Sequence, residues 1–325
     1  MISESKKIFV TGGAGFLGSQ VVKRLVSLSH EVTVYDSFVI YSKPNPNNTT
    51  FDFSSRLKDV FTNINLIRGD ALNKDFLRRS LNKVKPDVII HMAAMPLAAL
   101  ALENSEEAYN SILTSTLNIL EIMRDFNHSC RLVFISSSMV YGNFLTDPVR
   151  EDHQKNPKDI YGAFKLAGEH IVNGYSKNYS LDTVIVRPSA VYGPLDSNDR
   201  VVRKFITNAL NNKPINIDGD GSLRMDFSYV EDTAEGIAAC SLKNGIKGKV
   251  YNLSRGKSRS LKELVEVIKK QFPKAKILFR PKPSYIPSRG ALDISNAKKD
   301  FNFNPKINLE EGVQRYIDHL KKDDF

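Results

Sequence analysis

The sequence predicts an α/β protein built on a doubly wound parallel sheet, with a smaller, mostly C-terminal α/β lobe. Three observations lead there. Short apolar runs alternate with helical stretches, the glycine-rich string TGGAGFLG joins the first run to the first helix, and the alternation loosens past Pro188. Strands covered on both faces read as unbroken apolar runs, and helices between them supply the crossovers that parallel strands need.

KIFVTGG gives the first strand, FLGSQVVKRLVSL the first helix and EVTVYD the second strand. NLIRGD, VIIHMAA, LVFISSS and TVIVRP follow as strands, separated by helices such as DFLRRSLNKV and ILTSTLNILEIMRDF. Between the second and third strands, SKPNPNNTTFDFSS is polar, carries two prolines and reads as a mobile surface loop. Beyond Pro188, VRKFITNALNN and LKELVEVIKKQF are helices among Pro- and Gly-bearing loops. Residues 1–187 therefore form the first domain, with 226–258 returning to it, and 188–225 with 259–325 form the second lobe. Glu231 and Asp232 are expected to cap the helix DTAEGIAACSL.

A chain of 325 residues, 41% apolar and 25% charged, buries a full core. No apolar run reaches the roughly 18 to 20 residues of a membrane span. Met1 to Lys7 is too polar and short for a signal peptide, so a soluble, cytoplasmic protein is expected. Cys130 and Cys240 have neither CxxC spacing nor paired histidines nearby, which points to inert packing, with no metal and no disulfide. Sequons at Asn47, Asn178 and Asn252 carry no weight without a secretion signal. The net charge of +10 gathers between Lys243 and Lys282. Aromatic residues are sparse there and no nucleic-acid motif accompanies the cations, so they read as a solvated face that attracts anionic metabolites.

Gly12, Gly15 and Gly18 recur every third residue between strand and helix, where glycines let the backbone turn sharply and approach a pyrophosphate at the helix N-terminus. Phe16 and Leu17 open that helix and join the cofactor site. Asp36 closes the second strand, placed for a ribose hydroxyl. A carboxylate there repels a 2′-phosphate, and SFVIYS after it holds no arginine, so NAD is expected rather than NADP. Asp70 and Ala71, in GDAL, extend the site toward adenine, and HMAA, with Ala93 and Ala94, lines the groove's edge. His91, between Ile90 and Met92, reads as structural, and Asn118 as a packing or hydrogen-bonding residue.

IYGAFK, residues 160–165, places Tyr161 and Lys165 one turn apart on a single helical face. The ammonium then lies near both the phenol and a bound ribose. Its charge favours phenolate and lowers the tyrosine's pKa from about 10, making Tyr161 a general base for a sugar hydroxyl. FISSSMVYG ends the preceding strand at the carboxyl edge of the sheet, where ligands bind in open α/β folds, and Ser137 there holds a substrate oxygen beside the phenol.

Taken in order, TGGAGFLG, HMAA, SSSMVYG, YGAFK, RPSAVYGP, GDGSLRMDFSYVED and RGALDISNAKKDFNFNPKINLEEG resemble the extended short-chain dehydrogenase/reductase superfamily, in its NAD-dependent nucleotide-sugar epimerase and dehydratase branch. The resemblance runs over nearly the whole chain. It implies a Rossmann domain with a substrate-binding lobe, Tyr161 as base, Lys165 as ribose anchor and pKa modulator, and Ser137 as hydroxyl partner. It also implies that Pro188 and its neighbours border the nicotinamide, and that the protein is a homodimer paired through the Tyr161 helix and the one before it. For a 4-epimerase of this kind, hydride leaves C4 of a nucleotide-diphosphate sugar for NAD while Tyr161 takes the hydroxyl proton. The 4-keto sugar turns over and is reduced on its other face.

Departures from the family pattern shape the expectation further. Its 4,6-dehydratases carry an Asp-Glu pair just after the hydroxyl residue, where this chain has Ser138 and Met139 as substrate contacts. An arginine usually precedes Asp-Phe to grip the diphosphate. Here that place is Met225, so Arg224 is expected to reach the phosphate by a slipped register, with Arg289 as second clamp. Ala190 and Ile112 stand where asparagines often meet substrate. Beside 4-epimerisation, the alternatives are net oxidation or reduction at C4, 4,6-dehydration, or a non-catalytic nucleotide- or RNA-binding relative.

Overall fold

The computed structural model describes residues 4–39, 41, 53–283 and 286–323. Seven strands build one parallel sheet: β1 (Lys7–Thr11), β2 (Glu31–Asp36), β3 (Ile64–Arg68), β4 (Val88–His91), β5 (Arg131–Ile135), β6 (Asp182–Pro188) and, after four short strands, β11 (Val250–Leu253). Their order is β11-β6-β5-β4-β1-β2-β3, and every pairing is parallel. The chain winds outward to β3, then crosses back to β4 on the other side of β1. That reversal opens a crevice at the carboxyl ends of β1 and β4, where an open α/β sheet takes its ligand.

Helices cover both faces. In chain order they are α1 (Phe16–Ser27), α2 (Phe53–Leu57), α3 (Lys74–Val84), α4 (Ala98–Glu103), α5 (Ser105–Tyr109), α6 (Ser115–Arg124), α7 (Ile160–Asn178), α8 (Val201–Leu210), α9 (Val230–Leu242), α10 (Leu261–Lys269), α11 (Ser295–Phe301) and α12 (Leu309–Asp323). Successive strand residues point to opposite faces, so β1 sends Ile8 and Val10 into the core beneath α1 and α9, and Phe9 into the core beneath α3, α6 and α7. A third core, with Phe205, Ile215, Phe227, Leu264 and Ile317, forms the second lobe. Short strands knit that lobe: β7 (Val191–Tyr192) pairs with β10 (Ser228–Tyr229), β8 (Ile215–Asp218) with β13 (Ile277–Arg280), and β9 (Arg224–Met225) with β12 (Arg259–Ser260).

Four readings of the sequence are corrected. First, α11 does not belong to the second lobe: Ala297 and Phe303 are buried in the sheet core with α9 and β11, and the Phe301 ring meets Tyr251 edge-on at 4.9 Å. Gly236 makes the room, since a Cβ there would lie 2.7 Å from the Phe303 ring. Second, the end of the presumed surface loop, 53–57, is helical, while 42–52 lie outside the described residues. Third, the helix read through ILTSTLNILEIMRDF is entered by a π-helical turn, Asn110–Thr114, which leads into α6. Fourth, Glu231 and Asp232 occupy the first turn of α9 without capping it; Asp232 instead accepts from the backbone N–H groups of Lys306 and Ile307.

Both cysteines are buried and free. Burial pushes both thiols up, that of Cys240 to about 12. Among the described residues, no helix is long and apolar enough to cross a membrane.

Candidate functional site

The crevice is a cleft of about 600 Å³ between the sheet edge and the second lobe. Every site residue named from the sequence lines it except Arg224.

At one end, the β1–α1 turn needs its glycines. Gly12 has φ +69°, and a Cβ on it would stand 2.7 Å from the Ala93 amide nitrogen. A Cβ on Gly18 would come within 2.2 Å of the Gly12 carbonyl oxygen. The first turn of α1 has no side-chain cap and no acidic residue, so its N–H groups and positive dipole end are left for an anion. Asp36 faces the same loop, accepting from the N–H of Ala14 at 2.9 Å and of Phe38 at 2.8 Å; burial raises its pKa against those hydrogen bonds. Asn118 donates to the Ala71 carbonyl at 3.0 Å and holds the turn bearing Asp70. A cradle open to a pyrophosphate, with a carboxylate at the next strand end, fits a dinucleotide.

His91 pins the cleft floor. Its Nδ1 lies 2.7 Å from Thr11 Oγ1 and its Nε2 3.1 Å from Ser115 Oγ. Burial drives its pKa down to about 3, so the ring is neutral and structural. The π-helical turn brings both Ser111 and Ser115 to the cleft, and Ser111 accepts from the N–H of Met95.

Tyr161 stands in the first turn of α7, whose N-cap Asp159 accepts from the Gly162 N–H at 2.7 Å. Gly162 lets the helix start press against the turn after β5, because a Cβ there would lie 2.7 Å from the Met139 carbonyl oxygen. That turn carries Ser137, the hydrogen-bonding neighbour of the Tyr161 hydroxyl. Lys165 is buried beneath, its Nζ donating to the Ile135 carbonyl at 2.8 Å and lying 5.9 Å from the Tyr161 ring centroid.

The expected acidification of the phenol is not what this arrangement produces. Burial pushes Tyr161 up to about 12, and the charge that opposes this most is Arg200, followed by the Ser137 hydrogen bond. Burial also lowers Lys165 to about 8. Sequence spacing reports which groups share a face; desolvation of both groups in the cleft wall decides their protonation.

Arg224 is the misplaced residue. Antiparallel pairing with β12 sends adjacent side chains to opposite sides, so Met225 lines the cleft while Arg224 turns outward. There it donates to Ser258 Oγ at 2.9 Å and pairs with Glu263 at 3.3 Å. Arg289 does reach the cleft, donating from Nη2 to Ser138 Oγ at 2.8 Å and Ser189 Oγ at 3.1 Å.

Several residues escaped the sequence reading. Arg187 and Glu169 form a buried bidentate pair at 2.6 and 2.8 Å; Glu169 also accepts from Ser136, and Arg187 donates to Tyr141. This network locks α7 to the ends of β5 and β6 and so fixes where Tyr161 stands. Arg56, buried, ties the glycine-rich loop at Ala14 to the second lobe at Leu195 and Ser197. Arg200, just before α8, lines the cleft 5.5 Å from the Phe16 ring centroid. The first pair sits in apolar periodic stretches and the other two in irregular ones, where spacing gives no signal.

The chain matches the NAD dependent epimerase/dehydratase family over residues 8–254. It is 33% identical over 323 residues to a putative UDP-glucose 4-epimerase of Methanocaldococcus jannaschii, covering 97% of this chain and 98% of that protein. It is 31% identical to UDP-glucuronic acid decarboxylase 1 of Arabidopsis thaliana, covering 97% of this chain and 70% of that one. Among solved structures, the UDP-glucuronic acid 4-epimerase of Bacillus cereus in complex with UDP-glucuronic acid and NAD superposes with a TM-score of 0.88 at 29% identity, covering 97% of this chain and 99% of its own.

Proposed function

The chain belongs to the NAD dependent epimerase/dehydratase family, with NAD as its cofactor, and we propose that within it this protein is a nucleotide-sugar 4-epimerase. One observation carries the choice. Among the described residues the acids that line the cleft are Asp36, Asp70 and Glu107, and the two residues that follow Ser137 are Ser138 and Met139, neither a carboxylate, so these residues give the reacting end no acid-base pair for eliminating water.

Gly12, Gly15, Phe16, Leu17, Gly18, Asp36, Asp70, Ala71, Ala93, Ala94 and Pro188 would hold the dinucleotide. NAD, when bound, supplies a nicotinamide that takes up and returns hydride and whose oxidised form adds a positive charge favouring phenolate. Tyr161 takes the proton of the C4 hydroxyl and later gives it back. Ser137 holds that oxygen in line with the phenol, and Lys165 anchors the ribose from beneath. The 4-keto sugar then presents its other face to the same groups and is reduced there.

The test is cofactor balance. A purified 4-epimerase turns over its nucleotide sugar without added NAD and without net absorbance change at the reduced nicotinamide band; stoichiometric reduction would instead make it a C4 dehydrogenase. We extend the reading to a homodimer, supported by Tyr109 and Leu117, which lie exposed on the helices beside α7. Sedimentation as a monomer at micromolar concentration would refute that part.

A further inference from the structure

Four cationic side chains among the described residues line the cleft: Arg56, Lys165, Arg200 and Arg289. A charge-assisted fork is the strongest grip available for a diphosphate-bearing ligand, and the four are engaged differently. Arg56 spends Nε, Nη1 and Nη2 on Ala14, Leu195 and Ser197. Lys165 lies under the phenol, on the Ile135 carbonyl. Arg289 donates through Nη2 to Ser138 and Ser189, beside the turn that carries Ser137.

Arg200 is oriented by a carboxylate rather than by backbone carbonyls or hydroxyls. It stands just before α8 in the second lobe and lines the cleft between the Phe16 ring, 5.5 Å away, and Tyr161, on which its charge acts. Nη1 is fixed by Asp196 Oδ1 at 2.5 Å, a carboxylate whose side chain is 1% exposed. That bond orients the guanidinium, while Nε and Nη2 make no hydrogen bond among the described residues. A planar fork with two free donors and a locked third matches the oxygens of a phosphate. We propose that Arg200 grips the diphosphate of the substrate, with Met225 giving only apolar contact from the position where an arginine was expected. The proposal rests on the nucleotide-sugar reading. The same guanidinium is the leading charge that favours the Tyr161 phenolate, so one residue joins substrate grip to the base.

The test is calorimetric titration of the NAD-loaded protein with UDP, GDP, CDP and dTDP, each compared with its nucleoside. The unaltered protein should bind at least one diphosphate tenfold or more above its nucleoside. Arg200→Gln should cut that diphosphate's affinity by roughly 10- to 100-fold and leave nucleoside affinity and NAD content unchanged, the range expected for charge-assisted hydrogen bonds. Arg200→Lys, which keeps a charge opposite Asp196 without the fork, should lose a smaller part. Adding Met225→Arg to Arg200→Gln should restore affinity from the neighbouring strand. Undiminished diphosphate binding in Arg200→Gln overturns the proposal, as does an equal loss for nucleoside, or a loss of NAD that would assign Arg200 to the cofactor. If the unaltered protein binds none of the four diphosphates, the nucleotide-sugar reading falls first.

Discussion

Replacing Lys165 by methionine should make the protein more stable and less active, and the size of the first effect follows from the structure. Lys165 is 5% exposed. Its folded pKa is about 8, against 10.5 for the free side chain. Between those values the unfolded chain holds a proton that the folded chain has released, so stability rises with pH across that window. Below it, the folded state carries a buried charge at a cost of about 3 kcal/mol. Methionine has similar length and no charge. It forfeits the hydrogen bond to Ile135, about 1 kcal/mol, leaving a net gain of about 2 kcal/mol at pH 7. By pH 9.5 the folded lysine is neutral, about 2 kcal/mol of its cost has gone, and the advantage of methionine should vanish. Urea denaturation of NAD-free parent and Lys165→Met at pH 7 and pH 9.5 measures this directly. A variant no more stable than the parent at pH 7, or an advantage unchanged at pH 9.5, would refute the reasoning. Turnover should fall in the same variant, because the ammonium is kept at the expense of stability for what it does in the site.

Tyr161→Phe should lower turnover by roughly 10²- to 10⁴-fold with bound NAD retained, as expected for loss of a general base. Because burial pushes the phenol up to about 12 before NAD adds its charge, kcat/KM of the NAD-loaded parent should climb with pH between 6 and 8; a flat profile would count against Tyr161 as the base. Glu169→Gln should cost about 3 to 5 kcal/mol in denaturant unfolding, since it strands the buried Arg187 guanidinium. Gly18→Ala should empty the cofactor site, read as the absorbance ratio of purified protein, because its Cβ would lie 2.2 Å from the Gly12 carbonyl oxygen. Normal NAD content in that variant would contradict the packing argument.

The sheet was legible because each strand of the first domain is an unbroken apolar run, and TGGAGFLG fixed where the first turn faces. Tyr161, Lys165 and Ser137 were legible for a related reason: helical spacing and strand ends place side chains on known sides of a known sheet. What escaped depends on contacts between distant segments. No periodicity marks Arg56, which joins Ala14 to Leu195, or the α11 segment, which returns to the sheet core through the gap at Gly236. Arg224 failed through a one-residue register, which in a strand decides between cleft and solvent. The phenol's protonation failed because burial, unlike spacing, is a property of everything packed around a group.

Proton-NMR observation of a panel of nucleotide sugars, incubated with the protein in D₂O without added cofactor, tests 4-epimerisation most directly. One of them should interconvert with its C4 epimer, with no solvent deuterium at C4, because the hydrogen leaves for the bound cofactor and returns from it. A 4-keto-6-deoxy product, loss of C6 as carbon dioxide, or deuterium entering the ring would contradict 4-epimerisation.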